Sequence, residues 1–357
     1  MTRKKIIQII LGLALVLVFG VKSFFVRHPI LTGGTMGTGY SVTIKGYVSR
    51  KAINKLSLQI ETELADINRQ MSTWDPDSEI SLFNQSDESG PFPASEDFSK
   101  VVRRALELGK TTRGAFDPTL QPLLNLWGFG SEGEERKVPS DADIAKTKSR
   151  TGWDKVWIDK SGALWKAAPD VQLALGAIAK GYGVDAIGQL LNDAGHENWF
   201  AEIGGEVVAR GSNPAGVPWR IGIQFPSTNP MVDKLQGIVN LTEGAVATSG
   251  DYRNYIEEDG VVYSHILDPR SGRAVLSDTA SVTVTAPNCM DADGMATALF
   301  VMGATEGLAW VEDRPEVEAM FLMRGTAGEI SEKFSSGFMA ATSYVPATRH
   351  QALETRN

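Results

Sequence analysis

The stretch that decides the fold spans residues 173–210 and reads LALGAIAKGYGVDAIGQLLNDAGHENWFAEIGGEVVAR. Apolar residues at its start predict a short strand over residues 171–175, and apolar positions at helical spacing after Lys180 predict a helix that ends at Gly195. The first backbone N–H groups of a helix have no intrahelical partner, so a glycine-containing turn with a lysine can bind a phosphate there. An ordinary strand-to-helix turn with a solvated lysine explains the segment equally well.

Downstream of that helix the pattern changes to paired strands. Gly204-Gly205 separates two alternating segments and predicts a two-residue hairpin, and Asp259-Gly260 predicts another. Upstream, apolar residues at steps of three and four predict a long amphipathic helix over residues 53–71. Long helices combined with hairpins predict an α+β fold in which mixed and antiparallel sheets are flanked by helices.

The N-terminus has the composition of a membrane segment. Three basic residues precede an apolar run over residues 6–21, and residues 24–26 lengthen it toward the ~20 residues that span a bilayer. The flanking positive charge predicts that the remainder faces the periplasm from the inner membrane. No convincing cleavage site follows, so an uncleaved anchor is preferred to a signal peptide. Residues 1–28 are therefore predicted to form the anchor or signal segment, and residues 29–350 a single folded domain.

Composition excludes several classes of protein. The part of the chain that follows the anchor is long enough to bury a substantial core. Its single cysteine, Cys289, excludes an internal disulfide. The net charge of −8 is spread along the chain without the basic stripe that nucleic-acid binding requires. An anionic ligand would therefore need local compensation from a lysine or a metal ion.

Three polar residues in the second half are candidates for catalysis. His265, one of four histidines, lies between a predicted strand and an Asp-Pro turn, where it can transfer a proton or simply pack. Asp293 and Thr297 stand one turn apart on a predicted helix that begins near residue 291, and a carboxylate with a hydroxyl at that spacing suits Mg²⁺. An aspartate in the first turn also stabilises the helix dipole without any metal ion.

Three segments in the first half are candidates for a binding surface. Residues 32–42 (TGGTMGTGYSV) carry four glycines, which indicates backbone close to a ligand or to itself. Trp74 stands beside an Asp-Pro turn, where an indole can pack or can stack on a flat ring. Residues 114–130 (GAFDPTLQPLLNLWGFG) form an irregular apolar segment, which fits either a pocket wall or a loop that seals the core.

Eight motifs in fixed order resemble the ApbE family of FAD:protein FMN transferases. They are TMGTGYSV, MSTWDPDSEISLFN, GAFDPTLQPLLNLWGFG, LGAIAKGYGVD, EIGGEVVARG, AVATSGDYRNY, SHILDPRSG and DADGMATAL. The resemblance implies Mg²⁺-dependent splitting of FAD, transfer of FMN to a threonine hydroxyl of an acceptor protein, and release of AMP. Acceptors in the family are subunits of the sodium-pumping NADH:quinone oxidoreductase (Nqr) and of the related Rnf complex.

The same resemblance assigns residues to roles. It implies that FAD is bound by Met36, Trp74, Ala115, Phe116, Asp117, Lys180 and Ile266. It implies that the metal ion is held by the backbone carbonyl of Ala177 and the side chains of Asp293 and Thr297. His265 is the first choice for the base that takes the proton from the acceptor threonine, and Asp293 is the alternative.

The chain departs from the family pattern at two points. Ala174 stands where the family usually has an aspartate, which bears on one polar contact with FAD. The lipid-accepting cysteine that many members carry is missing, which supports a peptide anchor. Two competing functions remain at this stage: an FAD pyrophosphatase, in which water replaces the threonine, and a flavin-binding protein without chemistry.

Overall fold

The structure is a computed structural model, and it describes residues 24–347 except residues 88–89, 133–134, 228, 230–233, 253 and 327. The apolar run over residues 6–21, which was predicted to form the membrane segment, lies outside the described residues. The helices are α1 (Arg50–Met71), α2 (Glu79–Gln85), α3 (Glu96–Thr111), α4 (Gln121–Leu126), α5 (Asp141–Lys148), α6 (Ala179–Asp193), α7 (Cys289–Glu312) and α8 (Phe338–Thr342).

The strands are numbered along the chain. They are β1 (Phe25–Arg27), β2 (Ile30–Thr35), β3 (Thr38–Ile44), β4 (Tyr47–Ser49), β5 (Val156–Ile158), β6 (Leu164–Lys166), β7 (Trp199–Ile203), β8 (Glu206–Arg210), β9 (Trp219–Gln224), β10 (Leu235–Leu241), β11 (Glu243–Gly250), β12 (Tyr255–Glu258), β13 (Val261–Ser264), β14 (Leu267–Asp268), β15 (Arg273–Ala274), β16 (Thr279–Ala286), β17 (Glu318–Arg324), β18 (Ile330–Phe334) and β19 (Val345–Pro346).

Eight of these strands form one antiparallel sheet with the order β18-β17-β16-β11-β8-β7-β3-β2. The predicted hairpin at Gly204-Gly205 joins β7 to β8, and both glycines have positive φ, as such a tight connection requires. The predicted hairpin at Asp259-Gly260 joins β12 to β13. Helices pack on an antiparallel sheet, so the α+β class is confirmed.

The core lies between the central sheet and the helices. Helices α1, α6 and α7 place their apolar residues against it, with α6 over β7 and β8 and α7 over β11 and β16. The opposite face of the sheet is covered by β9 and β10, and a second cluster of buried residues there includes Val207, Trp219 and Phe338. Since α7 has a mean hydropathy of 1.3, it is apolar enough to cross a membrane, but its contacts make it the central helix of this core.

The segment before α6 differs from its prediction. Residues 171–175 form no strand, because the side chain of Asn84 occupies the position of a strand partner. Its Oδ1 accepts the N–H of Leu173 at 2.6 Å, and its Nδ2 donates to the Leu173 carbonyl at 2.9 Å. The helix that follows already begins at Ala179, so Lys180 and Gly181 lie inside its first turn. It ends as predicted, with Gly195 at φ 78° just after the cap.

Residues 25–27, which lie before the predicted boundary after residue 28, form strand β1. Strand β1 pairs with β4 in an antiparallel ribbon, with Val26 opposite Val48. Residues 25 and 26, which lengthened the apolar run in the sequence, therefore belong to the domain.

Candidate active site

One cavity of about 820 Å³ collects residues from both halves of the chain. It lies where α1 ends, where α6 and α7 begin, and where the hairpin between β2 and β3 turns. All eleven residues assigned to the site in the sequence line it: Met36, Trp74, Ala115, Phe116, Asp117, Ala177, Lys180, His265, Ile266, Asp293 and Thr297. The cavity volume lies in the upper part of the usual range for ligand pockets, ~300 to 1,000 Å³.

The charged centre of the cavity is a cluster of three side chains. Lys180 Nζ lies 3.0 Å from Glu206 Oε1 and 3.5 Å from Asp293 Oδ1. Both carboxylates are buried, and Glu206 Oε2 has no hydrogen-bond partner among the described residues. A single ammonium thus faces two carboxylates, which leaves this part of the cavity with excess negative charge and suits it to a cation.

Burial and charge act in opposite directions on this cluster. Burial alone lowers the pKa of Lys180, but the charges of Asp293 and Glu206 outweigh it and raise the pKa above its ordinary value. Burial raises the pKa of Glu206, and the nearby ammonium of Lys180 opposes that rise. The lysine therefore keeps its positive charge at neutral pH.

Lys180 reaches Asp293 because α6 and α7 approach each other closely. The N–H of Gly181 donates to Asp293 Oδ2 at 3.0 Å, so this glycine serves the contact between the helices. Asp185, one turn along α6, accepts the N–H groups of Cys289 and Met290 at 2.8 Å each and so caps α7. Burial raises the pKa of Asp185 to about 6.

Replacing Gly181 by alanine tests how much this approach matters. A Cβ at Gly181 would lie 2.2 Å from the carbonyl oxygen of Cys289, so the helices would have to separate. We expect the free energy of unfolding to fall by about 1–3 kcal/mol, measured by denaturant titration. Gly90→Ala is the matched control, because a Cβ there meets no atom within 4 Å. Equal stability of the two variants would contradict the close approach.

The predicted metal ligands offer three hard oxygen donors. Asp293 and Thr297 lie one turn apart on α7, and Thr297 Oγ1 is 3.0 Å from Ser249 Oγ. Ala177 lies in the same cavity, in the loop before α6. No group of three or more His, Cys, Asp or Glu side chains that could hold a metal ion occurs among the described residues. A carboxylate, a hydroxyl and a carbonyl fit Mg²⁺, which takes few protein ligands.

His265 lies directly after β13 with its ring fixed from one side. Its Nδ1 is 3.1 Å from the carbonyl oxygen of Asn254, so Nδ1 carries the proton and Nε2 is the acceptor in the neutral ring. The ring of Phe129 packs edge-on at 6.3 Å between centroids. Burial lowers the pKa of His265 below its ordinary value; the hydrogen bond to Asn254 opposes this shift, and the charge of Lys180 adds to it.

The remaining wall is apolar and aromatic. The sequence left open whether residues 114–130 form a pocket wall or a loop that seals the core. In the structure, Phe116 and Leu124 of this segment line the cavity. The Asp117 carboxylate is held by Thr119, whose N–H and hydroxyl donate to Oδ1 at 2.8 and 2.6 Å. Trp74 is 72% exposed at the rim, so its indole is available to a ligand.

The sequence did not single out three residues that the structure adds to the site. Glu206 lies next to Lys180, Ser249 lies next to Thr297, and Asn254 orients His265. A usable signal existed only for Glu206, a charged residue at the start of an apolar strand after Gly204-Gly205. Ala174, at the position of the missing aspartate, lines the cavity with a methyl group.

The chain is similar to known proteins over most of its length. The protein-family model described as "ApbE family" matches residues 36–321 of this chain. The FAD:protein FMN transferase of Vibrio cholerae is 42% identical over 311 residues, which cover 86% of this chain and 91% of the relative. That of Haemophilus influenzae is 38% identical over 344 residues, which cover 95% and 99%.

Solved structures give the same result. The flavin transferase ApbE from Vibrio cholerae superposes with a TM-score of 0.80 at 39% identity and covers 88% of this chain and 99% of its own. The apo form of the Pseudomonas stutzeri flavinyl transferase ApbE gives a TM-score of 0.79 at 38% identity and covers 89% and 98%. The chain belongs to the ApbE family.

Proposed function

We propose that this FAD:protein FMN transferase works with Mg²⁺ and transfers FMN from FAD to a threonine hydroxyl of an acceptor protein, releasing AMP. The observation that carries the proposal is the single cavity shared by eleven residues, with an aromatic rim at Trp74 and a charged centre at Lys180 and Asp293. A dinucleotide needs both: a flat apolar surface for its rings and compensated charge for its pyrophosphate.

Each polar residue of the cavity has a distinct task in this reaction. Ala177, Asp293 and Thr297 would hold Mg²⁺, which when bound would neutralise charge that develops on the pyrophosphate. Lys180 stays protonated and supplies a second, fixed positive charge. Glu206 holds the Lys180 ammonium at 3.0 Å and so keeps it pointing into the cavity.

His265 is proposed as the general base. Its Nε2 accepts the proton of the threonine hydroxyl as the threonine Oγ forms a bond to the FMN phosphorus. The bond from that phosphorus to the bridging oxygen breaks, and AMP leaves with both electrons. The Nδ1–H of His265, held by the Asn254 carbonyl, fixes the tautomer that this step needs.

The acceptor is proposed to be a subunit of the Nqr or Rnf type, which the family resemblance implies. The enzyme would meet it at the periplasmic face of the inner membrane, anchored by the N-terminal segment. Strand β1 starts at residue 25, so the domain would sit close to the bilayer surface.

A single assay tests the proposal against its competitors. The full chain in detergent is incubated with FAD, Mg²⁺ and a candidate acceptor protein. Covalently bound FMN on an acceptor threonine, with an equal amount of AMP, supports transfer. Free FMN with AMP would support the pyrophosphatase instead, and unchanged FAD that co-purifies with the chain would support flavin storage.

The membrane proposal has its own test. Because residues 6–26 contain neither a convincing cleavage site nor a cysteine, the chain is expected in the membrane fraction with its complete N-terminus. N-terminal sequencing of the purified protein measures this. A mature chain that begins near residue 28 would show that the segment is a signal peptide.

A further inference from the structure

A second pocket of about 300 Å³ lies between α1 and the hairpin of β2 and β3. Two features connect it to the large cavity. Asn68 lines both, and Thr35 of the small pocket directly precedes Met36, which lines the large one. The two pockets are therefore adjacent.

The small pocket contains a buried hydroxyl without a partner. Tyr40 is only 4% exposed, and its Oη makes no hydrogen bond among the described residues. Its ring lies across Gly33, where a Cβ would be 2.5 Å from the ring. A phenylalanine would fill the same space without an unsatisfied group, so the hydroxyl indicates a role toward a ligand.

The other polar groups of the pocket are mainly acceptors. Asn68 Nδ2 donates to Thr35 Oγ1 at 2.9 Å and to the Leu64 carbonyl at 2.8 Å, which leaves its Oδ1 as an acceptor. Glu61 adds a carboxylate, and its charge helps burial to raise the pKa of Tyr40. These groups match a side chain that donates hydrogen bonds, and they repel an acidic one.

The strand beside the pocket is open on its outer side. β2 is the last strand of the central sheet, and no other strand in the described part of the chain pairs with it there. Thr35 and Thr38 flank the two-residue turn and pair with each other. Because hydrogen-bonded and non-hydrogen-bonded pairs alternate along an antiparallel ladder, the N–H and C=O groups of Thr32 and Gly34 point away from β3. Thr32 and Gly34 are both exposed.

We propose that β2 and the small pocket together bind the acceptor protein. An extended segment of the acceptor pairs with the outer side of β2, and one of its lysine or arginine side chains enters the pocket between Tyr40 and Glu61. The segment then runs past Met36 and delivers the target threonine to the large cavity. This inference rests on the transferase function proposed above.

The test uses the full chain and an acceptor protein that the wild type labels. Tyr40→Phe should raise the KM for the acceptor by about 3- to 10-fold, and Glu61→Gln by about 10-fold or more. Thr32→Pro removes an outward N–H without touching the ladder, and it should also raise this KM by about 10-fold. The Kd for FAD and the kcat at saturating acceptor should stay at wild-type values. Glu316→Gln, at another exposed carboxylate, is the matched control.

Each outcome decides between the alternatives. Wild-type acceptor KM in all three variants would overturn the docking site and leave the transferase function standing. An equal loss of FAD affinity would also overturn it, because the pocket would then serve FAD. A lower melting temperature of Tyr40→Phe with unchanged KM would assign the tyrosine to the fold. Failure of the wild type to label any acceptor would overturn the transferase function and, with it, this inference.

Discussion

Replacing Asp293 by alanine is expected to abolish Mg²⁺-dependent flavin transfer, with a fall in rate of at least about 10³-fold, because loss of a single preorganised donor already costs ~10² to 10³. Asp293 is the one carboxylate in the proposed ligand set, and it is buried at the first turns of α7. Without it, only the carbonyl of Ala177 and the hydroxyl of Thr297 would remain to hold a divalent cation, and neither ligand carries a negative charge. Transfer is measured with labelled FAD and acceptor, and Mg²⁺ binding by calorimetry.

The same substitution has a smaller effect on the fold. The N–H of Gly181 loses its acceptor, which costs about 1–3 kcal/mol. Lys180 keeps Glu206 as its partner, so no buried charge is left alone. Asp293→Asn is the matched variant, because its amide oxygen can still accept from Gly181 while the charge is gone. Full activity in either variant would remove Asp293 from the metal site.

Replacing His265 by alanine is expected to slow transfer by ~10² to 10⁴ while FAD and Mg²⁺ still bind. Neither ligand needs the proton acceptor in the ground state. A histidine that only packed against Phe129 would behave differently, because its removal would lower the melting temperature and weaken FAD binding with turnover nearly normal. Turnover, FAD affinity and melting temperature of the one variant distinguish the two roles. Loss of stability with normal turnover would assign the role of general base to Asp293 instead of His265.

The pH profile gives a further check on His265. A general base is active when deprotonated, and burial lowers the pKa of this imidazole below its ordinary value. The rate is therefore expected to stay constant as pH falls from 8 through the usual histidine range near ~6.5, and to decline only below it. In His265→Ala that acidic decline should disappear. A decline centred above the ordinary pKa would contradict the assignment.

Local sequence was enough to predict the periodic elements. Apolar steps of three and four predicted α1, in which Leu56, Ile60, Leu64 and Ile67 are buried. Gly204-Gly205 and Asp259-Gly260 each join the two strands predicted around them. These elements depend on residues within one or two turns of each other, so their pattern is visible in the chain itself.

The active-site residues were found by a different route. The motifs that resemble the ApbE family supplied their identities, and residue spacing alone left Lys180, His265 and Asp293 open between function and packing. The structure brings them into one cavity. Their roles in catalysis and metal binding stay predictions until the variants above are measured.

Contacts between residues that are far apart in sequence could be seen only in the tertiary structure. Residues 171–175 have the composition of a strand, yet the amide of Asn84, far away in sequence, takes the hydrogen bonds that a neighbouring strand would make. Gly181 is the point where α6 meets Cys289 of α7, and nothing in the local sequence indicates that contact. Lys180 meets Asp293 through that contact, and it meets Glu206 because α6 packs over β8. Such pairings depend on which surfaces pack together in space, and no periodicity along the chain records them.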